Sequence, residues 1–178
     1  MEIEVKARAS TLEEVQETLA AMGAAYVDDV TQEDTYFNHP CRNFEETDEA
    51  VRIRVSNDRS HLTYKGKKVD LESKTRDEIE ILIEDSNKGK EILNKLGFQE
   101  VANVTKTRKV YTLDEVTVCL DTVDRLGTFV EVEARMRGEP ETNHYEALRD
   151  KALNLLNELH LTEHERRSYL GLLLEQEQ

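Results

Sequence analysis

Residues 1–6 read Met1-Glu2-Ile3-Glu4-Val5-Lys6, and the alternation within them decides the fold. In a β-strand, successive side chains point to opposite faces. Glu2, Glu4 and Lys6 then share one face, and Ile3 and Val5 the other. Two carboxylates about 7 Å apart on a strand suit a divalent cation, and the lysine one step further along suits an anion. A solvated strand face of mixed charge would produce the same six residues. The pattern, however, returns six more times.

Further strands are expected at Val51–Ser56, His61–Lys65, Arg76–Ile83, Thr105–Thr112, Val116–Leu120 with Asp121, and Phe129–Ala134, and another at Asp29–Phe37. Arg52 and Arg54 oppose Val51, Ile53 and Val55. Lys65 lies with Thr63, against Leu62 and Tyr64. Arg76, Glu78 and Glu80 oppose Ile79, Ile81 and Ile83. Lys106 and Arg108 share a face. Asp121 is in phase with Thr117 and Cys119, and Glu131 and Glu133 oppose Val130 and Val132. Asn57-Asp58-Arg59-Ser60 reads as a hairpin turn, and such short connections favour antiparallel pairing.

Four helices punctuate the strands. The first is expected after Thr11, with Glu14 completing a capping box, an apolar stripe of Leu12, Val15, Leu19 and Met22, and a stop at Gly23. A second begins at Ser86 and ends at Gly97. A third runs from about Thr142 to Leu159 with Leu148, Ala152, Leu155, Leu156 and Leu159 at helical spacing. A fourth is expected from Thr162, boxed by Glu165 and carrying Tyr169, Leu170, Leu173 and Leu174.

The 178 residues are enough for one domain with a real core, expected to span 1–178. A net charge of −14 argues against a nucleic-acid binder. The charged N-terminus does not resemble a signal peptide, and no apolar run approaches the ~18 residues needed to cross a bilayer. Cys41 and Cys119 are far apart and form no CxxC, which suits two free thiols in a reducing cytoplasm. No membrane partner is expected, and the oligomeric state is open, a homodimer included.

Two architectures fit strands with one apolar and one ionisable face. One is an open sheet with helices on its apolar face and charges in water. The other is a closed barrel with helices outside and charges lining its bore. The charged faces hold seven acids (Glu2, Glu4, Glu78, Glu80, Asp121, Glu131, Glu133) and seven bases (Lys6, Arg52, Arg54, Lys65, Arg76, Lys106, Arg108), whereas the chain as a whole has 38 acids and 24 bases. That balance is what a confined lumen needs, because unpaired buried charge is strongly unfavourable. Arginine and lysine suit phosphate oxygens, and acid pairs suit Mg²⁺ or Mn²⁺. A polyphosphate with a divalent metal uses both sets. No P-loop glycine motif is present.

These elements, in this order, resemble the CYTH superfamily of class IV adenylyl cyclases and thiamine triphosphatases, the triphosphate tunnel metalloenzymes. The ExExK signature is Glu2-Ile3-Glu4-Val5-Lys6 and the RxR is Arg52-Ile53-Arg54. Lys65 follows, then Arg76-Asp77-Glu78-Ile79-Glu80, Lys106-Thr107-Arg108, Asp121, and Glu131-Val132-Glu133. Asp34-Thr35-Tyr36-Phe37, Asp48-Glu49-Ala50-Val51-Arg52 and Arg167-Ser168-Tyr169-Leu170 resemble the cyclase-like branch. The resemblance implies an α+β fold, an eight-stranded antiparallel β-barrel (tunnel) with a charged lumen and helices packed outside. It implies that Lys6, Arg52, Arg54, Lys65, Lys106 and Arg108 bind the triphosphate, with Lys6, Arg54 and Lys106 catalytic, and that Glu2, Glu4, Asp121, Glu131 and Glu133 bind Mg²⁺ or Mn²⁺. Arg76, Glu78 and Glu80 serve either party, Arg76 being placed with the substrate ligands. The implied activity is conversion of ATP to 3′,5′-cyclic AMP and pyrophosphate. The alternative is hydrolysis of inorganic, thiamine or nucleoside triphosphate.

Other residues carry ordinary readings beside sharper ones. His160 and His164 are spaced for a metal but straddle a helix boundary, so solvated positions are favoured. Arg166 or Arg167 could cover the tunnel mouth, or be surface charges. Gly66 to Lys74 is a polar loop that could close on substrate or stay solvated. Tyr36 and Phe37 could stack on a base, although Phe37 suits a core. Cys119 reads as a space-filler beside Asp121.

Overall fold

The computed structural model describes residues 2–68, 76–135 and 142–176. In chain order its elements are β1 (Glu2–Arg8), α1 (Leu12–Ala21), β2 (Ala25–Asn38), α2 (Phe44–Thr47), β3 (Ala50–Ser56), β4 (Arg59–Lys68) and β5 (Arg76–Ile83). They continue with α3 (Ser86–Lys95), β6 (Gln99–Leu113), β7 (Val116–Val123), β8 (Gly127–Arg135), α4 (Thr142–Glu158) and α5 (Tyr169–Gln176). The hydrogen-bonded strand order is β1-β5-β4-β3-β2-β6-β7-β8, a closed barrel. All eight expected strands are present. β2 and β6 start earlier than expected, and the short α2 was not foreseen.

The chain forms two compact units. One contains β1, α1, β7, β8 and α4 with the adjoining parts of β2 and β6. Here β1 pairs antiparallel with β8, placing Lys6 opposite Glu131 and Glu4 opposite Glu133. β8 pairs with β7 so that Cys119 faces Glu131. The register puts Ile3, Val5 and Ala7 in line with Val130, Val132 and Ala134. These join Val116, Val118 and Leu120, with Val15 and Leu19 of α1 and Leu148, Ala152, Leu155, Leu156 and Leu159 of α4, in one core. The helical spacing of the α4 leucines follows from the stripe needed to cover that face.

The other unit contains α2, β3, β4, β5, α3 and α5 with the remainder of β2 and β6. Antiparallel pairing runs β2–β3–β4–β5. Its core gathers Phe37, Phe44, Val51, Ile53 and Leu93. The Asp85 carboxylate caps α3 by accepting from the backbone N–H of Asn87 (2.9 Å) and Lys88 (3.1 Å). Gly89 lets α3 lie close to the strands, since a Cβ there would come within 2.8 Å of the Ile83 Cδ1. The apolar side of β5 is not covered as expected: Ile79 and Ile81 are 61% and 54% exposed.

Two helix starts differ from expectation. Thr11 precedes α1 in an extended conformation, but its hydroxyl makes no capping bond. Glu13 and Glu14 in the first turn favour the helix N-terminus electrostatically instead. The last helix begins at Tyr169 rather than Thr162. Residues 163–165 are held extended along β1, the Arg8 N–H donating to the Glu163 carbonyl (3.0 Å) and the Glu165 N–H to the Lys6 carbonyl (2.8 Å). A helix there would break both bonds. Ser168 is the cap of α5, its hydroxyl accepting from the Gly171 N–H at 3.0 Å. Cys41 and Cys119 are free, as expected. No described helix is long and apolar enough to cross a membrane.

Leu156 is fully buried in the first core. Leu156→Ala is expected to destabilise the protein by about 2–5 kcal/mol, measured by urea unfolding.

Candidate active site

Each unit carries one cluster of ionised side chains on the face opposite its apolar core, and the centre of each is withdrawn from water, while Glu80 is half exposed. Lys6, Asp34, Arg52, Lys106, Arg108, Asp121 and Glu131 are all buried. This is the outcome the balance of charge favoured, and it excludes strands whose ionised faces simply meet bulk solvent.

In the first unit the ladder builds an acidic cluster. Glu4 and Glu133 are cross-strand neighbours, as are Lys6 and Glu131, and Cys119 lies on the other side of Glu131. At the centre is Arg108. Its Nε and Nη2 form a fork on the two oxygens of Asp121, each at 2.7 Å. Its Nη1 donates to Glu133 Oε1 at 2.8 Å, and its Nη2 also donates to Glu131. Burial alone would make Arg108 a weaker base, yet Asp121, Glu133 and Glu131 hold it firmly cationic. Burial pushes the Cys119 thiol up, Arg108 opposes that shift, and the carboxylates of Glu133, Glu131 and Asp121 add to it. Cys119 is therefore a neutral filler, donating weakly to Glu133 at 3.8 Å. The Lys6 ammonium lies 5.2 Å from the centroid of the Phe129 ring, and the Arg8 guanidinium carbon 4.8 Å from it. Phe129 shares the face of Glu131 and Glu133, so an aromatic ring stands within the charged row. The side chain of Glu2 lies outside the described part of the chain.

Whether these acids suit a metal turns on their donor chemistry. Three carboxylates converge on one cation, and hard oxygen donors fit Mg²⁺ or Mn²⁺. The cation they hold here is a guanidinium. With Arg108 among them, no described group of three His, Cys, Asp or Glu side chains is set to grip an ion.

In the second unit the cluster is basic and its counter-ion is Asp34, which sequence reasoning did not place in the site. The register sets Asp34 beside Arg54 and Tyr36 beside Arg52. Arg54 forks onto Asp34 through Nε (2.6 Å) and Nη2 (2.7 Å), and Arg52 Nη1 lies 3.5 Å from the same carboxylate. Burial would raise the Asp34 carboxyl, but Arg52, then Arg54, and Lys106 hold it down to about 2. The Nε of Arg52, a residue only 6% exposed, has no hydrogen-bond partner among the described residues. Thr63 donates to Glu80 (2.9 Å) and Lys65 to Glu78 (2.7 Å). The Lys106 ammonium sits 4.9 Å from the ring centroid of Tyr169 on α5.

Asp48, in a left-handed conformation after α2, organises the two described residues that flank the β4–β5 connection. Its carboxylate accepts from the Lys68 backbone N–H (2.8 Å) and Nζ (2.6 Å), and Arg76 Nη2 lies 3.6 Å away. Residues 69–75, which include most of the expected loop to Lys74, lie outside the described residues. Arg167 pairs with Glu175 on α5 at 2.6 Å. His160 ends α4 with positive φ, and His164 bridges to Ala7 of β1, so the two do not share a helix face. Phe37 is core, and Tyr36 belongs with the charged row beside Arg52.

Eight strands in a closed order, with ionised side chains largely buried and paired among themselves, define the structural class. The CYTH domain family matches residues 1–169, and this chain belongs to that family. A Methanocaldococcus jannaschii protein, provisionally named an adenylate cyclase, is 37% identical over 97% of this chain and 98% of its own. A Pyrococcus horikoshii protein of known structure is 42% identical, covers 99% of both chains and superposes with a TM-score of 0.91. A Hippeastrum protein, provisionally an adenylyl cyclase and described as having a dominant triphosphatase activity, shares the fold. It is 20% identical, over 99% of this chain and 96% of its own, with a TM-score of 0.70.

Asp34 links the basic cluster to acid stability. A carboxyl lowered in the folded state stabilises the protein above its unfolded value of ~3.9, and that contribution is lost as pH falls towards about 2. Urea midpoints measured from pH 6 down to pH 2 should show the wild type losing on the order of 2 kcal/mol that Asp34→Asn does not lose. The variant should already be the less stable protein at pH 6, because two buried arginines lose their carboxylate.

Proposed function

We propose that this chain is a metal-dependent enzyme acting on a triphosphate, converting ATP to 3′,5′-cyclic AMP and pyrophosphate. Hydrolysis of inorganic, thiamine or nucleoside triphosphate is the alternative. The observation that carries the proposal is the state of Arg52. It is a buried guanidinium that shares one carboxylate with Arg54 and keeps an unpartnered Nε. A buried donor without a partner is unfavourable, and an ionised phosphate oxygen would supply the acceptor. The cyclase assignment is further supported by the name given to the 37% identical relative.

In this reading Arg52, Arg54, Lys65, Arg76 and Lys106 bind phosphate oxygens, with Lys6 and Arg108 contributing from the strands that carry the acids. Asp34 holds the Arg54 fork in one orientation before substrate arrives, so little rearrangement is needed on binding. The Tyr169 ring and the Phe129 ring give Lys106 and Lys6 fixed apolar supports. In cyclisation the ribose 3′-oxygen attacks the α-phosphorus and the bond to pyrophosphate breaks. Lys6, Arg54 and Lys106 stabilise the negative charge that gathers on the phosphoryl oxygens. In hydrolysis water attacks the terminal phosphorus and the same cations serve. Glu4, Asp121, Glu131 and Glu133, with Glu2, are the residues that would hold Mg²⁺ or Mn²⁺, with Glu78 and Glu80 as additional candidates. When bound, the metal neutralises phosphate charge and activates the attacking oxygen.

Incubation with Mg²⁺ or Mn²⁺ and, in turn, ATP, thiamine triphosphate and inorganic triphosphate tests this. Cyclic AMP with pyrophosphate is expected from ATP. Orthophosphate alone would establish the hydrolase, and no turnover of any of the three would overturn the proposal. Glu4→Gln and Glu133→Gln should abolish turnover while retaining the wild-type circular dichroism spectrum. Arg54→Ala should weaken triphosphate binding about tenfold or more in calorimetry, the scale expected when a bidentate charged contact is removed.

A further inference from the structure

Gln32 is 8% exposed, and its Oε1 has no hydrogen-bond partner among the described residues. It lies on β2 two residues before Asp34 and therefore on the same face. Three rungs of the β2–β3 ladder follow one another there: Tyr36 with Arg52, Asp34 with Arg54, and Gln32 with Ser56. Successive rungs are about 7 Å apart. The first two carry guanidinium groups, while the third carries a carboxamide and a hydroxyl, neither of them charged.

An ionised polyphosphate offers only acceptors, so it cannot complete a carboxamide oxygen. In this orientation the buried oxygen takes an N–H or O–H donor. Resting on the triphosphate reading above, we propose that Gln32, with Ser56, reads the organic half of the substrate. The substrate class of this site is then a nucleoside triphosphate, whose ribose hydroxyls or exocyclic base amine supply the missing donor. The cationic rungs take phosphate, and the neutral rung beyond Arg54 takes the nucleoside. A site with a buried acceptor waiting for a donor discriminates strongly against a ligand that lacks one.

Calorimetry in the presence of a metal chelator, so that no turnover occurs, tests the assignment with ATP and inorganic triphosphate as probes. Gln32→Leu is expected to weaken ATP about tenfold and to leave inorganic triphosphate within about twofold of wild type. Equal losses for the two ligands, or no loss for ATP, would overturn the assignment. Wild-type protein supplies a second measurement that does not depend on the variant's folding. Purine riboside triphosphate, 2′-deoxy-ATP and 3′-deoxy-ATP each lack one donor. One of them should bind about fivefold or more weaker than ATP, and which one it is identifies the amine or the hydroxyl. Uniform affinity across ATP and all three would overturn the proposal while leaving the triphosphate reading intact. Wild-type protein that binds neither ATP nor inorganic triphosphate would remove both.

Discussion

Charge taken out of water has to be answered by charge inside the protein. Most strands here carry at least one ionised side chain that is buried. Removing an ion from water carries a penalty of several kcal/mol that only close, well-oriented partners offset. Arg108, with three carboxylates around it, and Asp34, with two guanidinium groups against it, are those partners. The surrounding hydrocarbon core can close over the strands because these pairs keep the opposite faces near balance.

The two clusters solve the same problem with opposite signs. In one, Arg108 is the cation at the centre of three carboxylates, and Lys6 stands opposite Glu131 on the neighbouring strand. In the other, Asp34 draws two arginines together, with Glu80 near Arg52 and Glu78 on Lys65. The forks on Asp34 and Asp121 also fix where the charge sits.

Much of this was legible in the sequence. The alternation in Glu2–Lys6, Arg52–Arg54 and Glu131–Glu133 gave strand identity and face directly, because side-chain direction in a strand depends on nothing beyond the immediate neighbours. The excess of acid over the whole chain, set against the balance on these faces, pointed to confinement. What stayed hidden depends on register. Asp34 is one acidic residue among many until β2 is aligned with β3 and it falls beside Arg54. Phe129 looked like an ordinary apolar strand residue, although its phase with Glu131 was the available signal. The Thr162 start failed because two backbone bonds to β1 outweigh a local capping pattern. Gln32 carried no signal at all: an amide in a polar stretch acquires meaning only once its oxygen is seen to be buried and alone.

Arg108 also bears on the strands around it. A guanidinium of the chain's own sits among Asp121, Glu131 and Glu133. A neutral residue in its place would leave three carboxylates crowded together, and their repulsion would fall on the strands that carry them.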